Sequence, residues 1–172
     1  AAGLQGLSFF GRHHCYALNE EMELDIDKVS DFFSEYGKQP VLIFGFTFIV
    51  WQKFIQALAQ QNISFDFADA ILIHGGGWKK MQDQAVTDEI FKASIYKTLG
   101  KVNVHDYYGM VEQTGTIYMQ CENGFLHTPA WSDVLIRSPQ DLTLLEYGEA
   151  GLIQVNSVLP TSYPGHCILT ED

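Results

Sequence analysis

Three stretches of the sequence carry residue types suited to chemistry. The first is His74-Gly75-Gly76-Gly77-Trp78, directly after a short apolar run. Consecutive glycines expose backbone N–H groups and let a ligand approach the main chain closely. By itself the run reads as a tight turn off a strand end, or as an oxyanion hole of the HGGG kind found in lipases and esterases. The oxyanion reading needs a G-x-S-x-G nucleophile elbow downstream. None is present, and the nearest run, Gly148-Glu149-Ala150-Gly151, has no serine. The second stretch runs from Tyr107 through Tyr108, Gly109, Met110, Val111 and Glu112 to Gly115. A tyrosine at a strand end can stack on a heterocycle, and a carboxylate four positions later can reach a metal ion beside a phosphate. The third stretch leads from Ser162-Tyr163-Pro164-Gly165-His166 to Thr170-Glu171-Asp172, where a terminal Asp can accept hydrogen bonds from ribose hydroxyls.

Other clusters carry less. His13-His14-Cys15 resembles a metal cluster, yet adjacent side chains on an extended segment point to opposite faces. Lys79-Lys80 follow the glycines and could steer phosphate, or simply be surface lysines after a turn. Cys121 and Cys167 fall in expected β segments, where a buried cysteine packs as a small hydrophobe. Asn19 to Asp27 reads as a solvated acidic entry to the first helix.

The elements that must position these stretches show a change of period midway. Val29, Phe32, Phe33 and Tyr36 fall at i, i+3, i+4, i+7, with Asp25 or Asp27 as cap and Gly37 as stop. Val41 to Phe44 suits a strand buried on both faces. Phe48, Trp51, Phe54, Ile55 and Leu58 mark one face of a second helix, ending near Asn62. Ala70 to Ile73 is another strand, Thr87 to Leu99 a helix with Ile90, Phe91 and Ile95 inward, and Val102 to Tyr107 the next strand. This βαβαβ order predicts a parallel sheet with helical crossovers. Ligands of such sheets gather at the carboxyl ends of the strands, where the glycine run and Tyr108 lie.

Beyond Gly109 the pattern predicts antiparallel β structure. Ile117–Cys121 and Phe125–His127 flank Glu122-Asn123-Gly124, a hairpin signal. Trp131–Arg137, Leu142–Leu145 and Gly151–Asn156 read as further strands. The fold class expected is therefore α/β, a parallel βαβαβ half followed by an antiparallel half. The expected division is an α/β nucleotide-binding subdomain over 1–108 and an antiparallel subdomain over 109–172, with the seam between Tyr108 and Ile117.

The chain has 172 residues, 47% apolar and 18% charged, enough for one sizeable core and too apolar for a disordered tail. Ten basic residues against 21 acidic ones give a formal net charge of −11. Such a field repels phosphate backbones and anionic lipid, which argues against nucleic-acid and membrane-surface partners. It leaves room for ATP held locally with Mg²⁺. The longest apolar run, Val41 to Trp51, is too short to span a bilayer, which takes roughly 20 residues. Three cysteines with no C-x-x-C pair suggest a reducing, cytoplasmic home. No signal-peptide pattern opens the sequence. Both ends read as cuts within a longer protein.

Taken together, the three stretches resemble the adenylate-forming superfamily of acyl-CoA synthetases, and within it the acyl-protein synthetases of the LuxE type. The Gly75-Gly76-Gly77-Trp78-Lys79 run is similar to the superfamily's strand-end glycine motif, and Tyr108-Gly109-Met110-Val111-Glu112 to its Y-G-x-T-E, with Val111 in place of threonine. Gly148-Glu149-Ala150-Gly151-Leu152-Ile153 resembles its G-E-x-G-x-I, and Thr170-Glu171-Asp172 its T-G-D, with Glu171 in place of glycine. Leu126-His127-Thr128-Pro129-Ala130-Trp131 and Ser162-Tyr163-Pro164 point to the LuxE-type branch. The resemblance implies activation of a fatty acid or other carboxylate by ATP and Mg²⁺, then transfer to a thiol, either a protein cysteine or coenzyme A.

It implies that Gly75, Gly76, Gly77, Tyr108, Gly109 and Asp172 bind ATP, with the glycines along the adenine, Tyr108 stacked on it and Asp172 on the ribose. Glu112 would be catalytic and hold the metal. Gly45-Phe46-Thr47-Phe48 is similar to the segment lining the acyl pocket, which assigns Phe46 and Phe48 there; they read equally as core residues of a strand-to-helix turn. An acyl reductase partner and a homo-oligomer are further implications. The family's Ser/Thr/Gly-rich phosphate loop and its C-terminal lid with the acyl-carrying cysteine have no counterpart in the sequence, so the chain alone is expected to be inactive. The competing expectations are an α/β-hydrolase-type esterase using the glycine run, and a non-catalytic binding domain.

Overall fold

A computed structural model describes residues 6, 8–161 and 164–170, the side chains of Lys79 and Lys80 excepted. The chain divides into two compact units, Ala1–Asp106 and Tyr107–Asp172. In the first, helix α1 spans Ile26–Tyr36. Asp25 caps it, its carboxylate accepting from the Lys28 N–H at 3.1 Å, which satisfies one of the open donors of the first turn. Strand β1 (Pro40–Phe46) pairs in parallel with β2 (Asp69–Gly75), in register from Pro40 opposite Asp69 to Phe46 opposite Gly75. Between them runs helix α2, residues 47–60, which opens as α over Thr47–Ile49, widens to π over Val50–Ile55 and returns to α over Gln56–Gln60. Helix α3 (Asp88–Leu99) is capped by Thr87 and ends at Gly100, and β3 (Val102–Tyr108) takes its place beside β2.

One core holds this unit together. Val29 and Phe33 from α1, Trp51, Phe54, Ile55 and Leu58 from α2, and Phe91, Ile95 and Leu99 from α3 pack with Ala70, Leu72, Val102 and Val104 of the sheet. Leu58, Leu72, Ile95 and Leu99 are sealed from solvent. Burying each such side chain favours folding by about 1.5–3 kcal/mol before the cost of ordering it.

Two expectations fail here. Strand β1 is not buried on both faces: the helices' apolar residues join only the alternate positions Val41, Ile43, Ala70 and Leu72, leaving Leu42 and Ile71 41% and 40% exposed. Ile90 is half exposed rather than inward, because the buried seam of α3 runs along Phe91, Ile95 and Leu99, and residue 90 falls off its edge.

The second unit is antiparallel. The end of β3 pairs with β4 (Tyr118–Gln120), Tyr107 opposite Met119 and Tyr108 opposite Tyr118, and β4 with β5 (Leu126–His127) across the Asn123-Gly124 turn. A separate sheet places β7 (Leu152–Ser157) between β6 (Ser132–Arg137) and β8 (Cys167–Leu169). The expected strand over Leu142–Leu145 shrinks to a single bridge from Leu144 to Arg137, since Leu142 sits at a φ of 60° and turns the chain. Cys121 follows β4 in the turn and Cys167 is exposed, so neither is the packed β cysteine expected. Gly151 admits β7 closely: a Cβ there would collide with the Arg137 carbonyl and the Leu145 side chain.

Candidate active site

The glycine run leaves β2 at its carboxyl end. Gly75 is the last strand residue, and Gly76 and Gly77 adopt φ of 80° and 58°, left-handed values that a side chain at either position would strain. Among the described residues nothing lies within 4 Å of a Cβ built on Gly77, so the space beside it is open. The far end of the run is pegged by Trp78, whose ring packs edge-on against Trp51 at 6.0 Å and Phe91 at 6.2 Å.

The near end is pegged by His74. Its imidazole is 4% exposed, lies 4.6 Å from the Phe91 ring, and bonds through Nδ1 to Thr47 Oγ1 at 3.0 Å. Asp106, near the end of β3, stands 3.6 Å from the same nitrogen. Burial drives the His74 pKa down to about 4, outweighing the attraction of Asp88, so the ring is neutral at pH 7 and the Asp106 contact is no ion pair. Its other nitrogen, Nε2, is buried without a hydrogen-bond partner among the described residues.

Phe46 and Phe48 flank Thr47 at the start of α2. Phe46 is 41% exposed at the strand end and its Cα pairs with Gly75, while Phe48 is half-buried. In this unit, then, the acyl-pocket candidates and the glycine run are neighbours across the β1–β2 register.

In the second unit Tyr108 ends β3, half-buried, with its ring 5.9 Å from that of Tyr118. Gly109 follows, and Glu112 sits exposed in a 3₁₀ turn over Val111–Gln113. That turn is fastened from beneath. Gln113 is fully buried and its amide donates to the Val155 carbonyl at 3.1 Å and the Gly165 carbonyl at 2.8 Å. Buried Thr116 shares a 2.8 Å hydrogen bond with Ser157. Among the described residues no group of three or more His, Cys, Asp or Glu could hold a metal ion. Glu112 fits only as one carboxylate to an ion held otherwise by phosphate oxygens, the usual arrangement for Mg²⁺. Asp172, with Glu171, Ser162 and Tyr163, lies outside the described residues.

Sequence reasoning included Thr47, His74 and Gln113 in its stretches but assigned none of them a role of its own. His74 and Gln113 each adjoin a motif residue, but their partners lie 27, 42 and 52 positions away.

Solved structures of adenylate-forming enzymes share this α/β fold. ATP-bound MatB from Rhodopseudomonas palustris aligns at TM-score 0.53 and 15% identity, over 78% of this chain and 25% of its own. A long-chain-fatty-acid-CoA ligase from Archaeoglobus fulgidus aligns at 0.55 and 13%, over 78% and 27%. Residues 10–172 match the family described as Acyl-protein synthetase, LuxE, and the chain belongs to that family. It is 29% identical over 140 residues to the long-chain-fatty-acid–luciferin-component ligase of Aliivibrio fischeri, covering 79% of this chain and 36% of the relative. Its identity to the Vibrio harveyi protein of the same description is 28% over 107 residues, covering 60% and 28%. The chain thus spans about a third of the curated relatives it matches. No described helix is long and apolar enough to cross a membrane.

Proposed function

We propose that this chain is the nucleotide-binding part of an enzyme that activates a long-chain fatty acid with ATP and passes the acyl group to a thiol. The family match across residues 10–172 carries this reading, and the placement of Gly75–Gly77 and Tyr108 at strand carboxyl ends supports it. A carboxylate oxygen attacks the α-phosphorus, the bond to pyrophosphate breaks, and the acyl-adenylate then yields its acyl group to a thiolate as AMP leaves. Gly75, Gly76 and Gly77 present main chain to the adenine, Tyr108 a ring to stack on it, Gly109 the clearance beside that ring, and Asp172 a carboxylate to the ribose. Phe46 and Phe48 supply apolar surface for the acyl chain. Bound Mg²⁺ would neutralise charge on the phosphates, with Glu112 as its protein ligand. Positioning and charge neutralisation, more than covalent chemistry by the protein, lower the barrier for such a transfer. The acceptor is a protein cysteine or coenzyme A, an acyl reductase is a fitting partner, and the cytoplasm a fitting home.

The test is ATP–pyrophosphate exchange by the full-length protein with a panel of fatty acids. Exchange that depends on a long-chain acid is expected. Hydrolysis of simple esters with no exchange would overturn the reading in favour of an esterase. The 172-residue chain assayed alone is expected to show no exchange, since the sequence contains no Ser/Thr/Gly-rich phosphate loop.

A further inference from the structure

The buried contact beneath the glycine run ties together segments that have separate tasks in the proposed reaction. We infer that His74 is a positioning residue that locks the acyl-lining turn Phe46–Phe48 to the adenine-binding glycine run through its Nδ1 bond to Thr47. The inference rests on the functional reading above for what those segments bind, and on geometry alone for the lock.

The observations converge on this one side chain. Thr47 is the first residue of α2, and Phe46, at the N-cap, offers that helix no side-chain cap. The Thr47 hydroxyl ties this α2 entry to His74 on the next strand. His74 is the residue before Gly75, so its ring bonds to β1's exit while its backbone leads into the glycine run. Asp106 brings β3 into the same cluster, one residue before Tyr107. Nδ1 and the Thr47 hydroxyl share this bond, and the tautomer of the ring decides which of them donates.

An apolar residue of similar size would fill this place without leaving Nε2 orphaned. Packing thus does not account for the imidazole, whereas a directional bond between two strand ends does. Gly45, two residues before Thr47, closes the other side: a Cβ there would stand 2.7 Å from Val50 Cγ2, so the turn has little room to adjust by itself.

The experiment compares His74→Asn, His74→Gln, His74→Phe and Thr47→Val in the full-length protein. An asparagine amide stands where Nδ1 stood, a glutamine amide nearer Nε2, and phenylalanine keeps only the volume. His74→Asn should retain exchange with KM values near those of the parent. His74→Gln, His74→Phe and Thr47→Val should raise KM for ATP and for fatty acid together by about tenfold or more, as small misplacements of a reacting group do. The double variant Thr47→Val/His74→Phe should be no worse than either single one. Activity that instead follows melting temperature, with Phe best and Asn worst, would overturn the lock.

Amide hydrogen exchange gives a readout independent of activity. In His74→Phe, residues 44–48 and 73–75 should both exchange faster, by about tenfold for the loss of one hydrogen bond. Unchanged protection at both ends would overturn the lock. A parent protein with no acid-dependent pyrophosphate exchange would overturn the functional reading instead, leaving the lock to be decided by these amides.

Discussion

Acidification should destabilise the first unit through His74. Folding holds the ring neutral with a pKa of about 4, against 6.5 for the exposed group. The unfolded chain therefore binds the proton more readily. The neutral ring's contribution is fully present above pH 6.5 and is lost as pH falls from there through 4. From those two values the loss between pH 7 and pH 5 is about 2 kcal/mol, approaching about 3 kcal/mol at lower pH. Asp88, Lys92, His105 and Asp106 surround the ring and are present in both parent and variant. The assay is urea unfolding of the parent and His74→Phe, followed by tryptophan fluorescence, since Trp51 and Trp78 both pack on Phe91 beside the imidazole. The parent's stability relative to the variant should fall by about 2 kcal/mol between pH 7 and pH 5. A pH-independent difference would refute the argument. A relative stability that rises on acidification would show instead that Asp106 forms a true ion pair with a charged ring.

Three further outcomes follow from the second unit and the proposed chemistry. Gln113→Leu leaves two carbonyls without their amide donors and should cost about 2–4 kcal/mol by denaturant unfolding; a loss below 1 kcal/mol would mean that those carbonyls find other donors. Gly151→Ala drives a methyl into the Arg137 carbonyl and Leu145, and should cost about 1–3 kcal/mol, read as a lowered Tm. Glu112→Gln should cut acid-dependent pyrophosphate exchange about a hundredfold while leaving Tm within a degree or two, because the side chain is exposed and its turn is held by Gln113. Unchanged exchange would remove Glu112 from the metal role.

What was legible in the sequence is what local chemistry decides. Asp25 and Thr87 announce helix starts because a cap needs only a short side chain beside open N–H groups. Asn123-Gly124 announces a hairpin because few residues tolerate that turn. The βαβαβ order follows from alternating periods. The π segment Val50–Ile55 escaped, since Val50, Trp51, Phe54, Ile55 and Leu58 keep an ordinary helical spacing and nothing in their types signals a widened turn. The exposure of Leu42 and Ile71 escaped for a different reason: an apolar run records what a strand can bury, not what is there to bury it. At the candidate site the glycine run and Tyr108 were visible as motifs. The polar ties beneath them were not, because a histidine or glutamine gives no hint of a partner tens of residues away.

The two units are built from different materials. Among the described residues the buried apolar side chains belong almost wholly to the first unit, and only Tyr118 and Val155 to the second. Gln113, Thr116, Ser138 and Ser157 fill much of the second unit's interior instead. Exposing apolar surface raises heat capacity and exposing polar surface lowers it. Stability of the first unit should therefore curve more strongly with temperature and weaken in the cold, while that of the second changes more nearly linearly. Cooling should therefore weaken the α/β unit more than the antiparallel one.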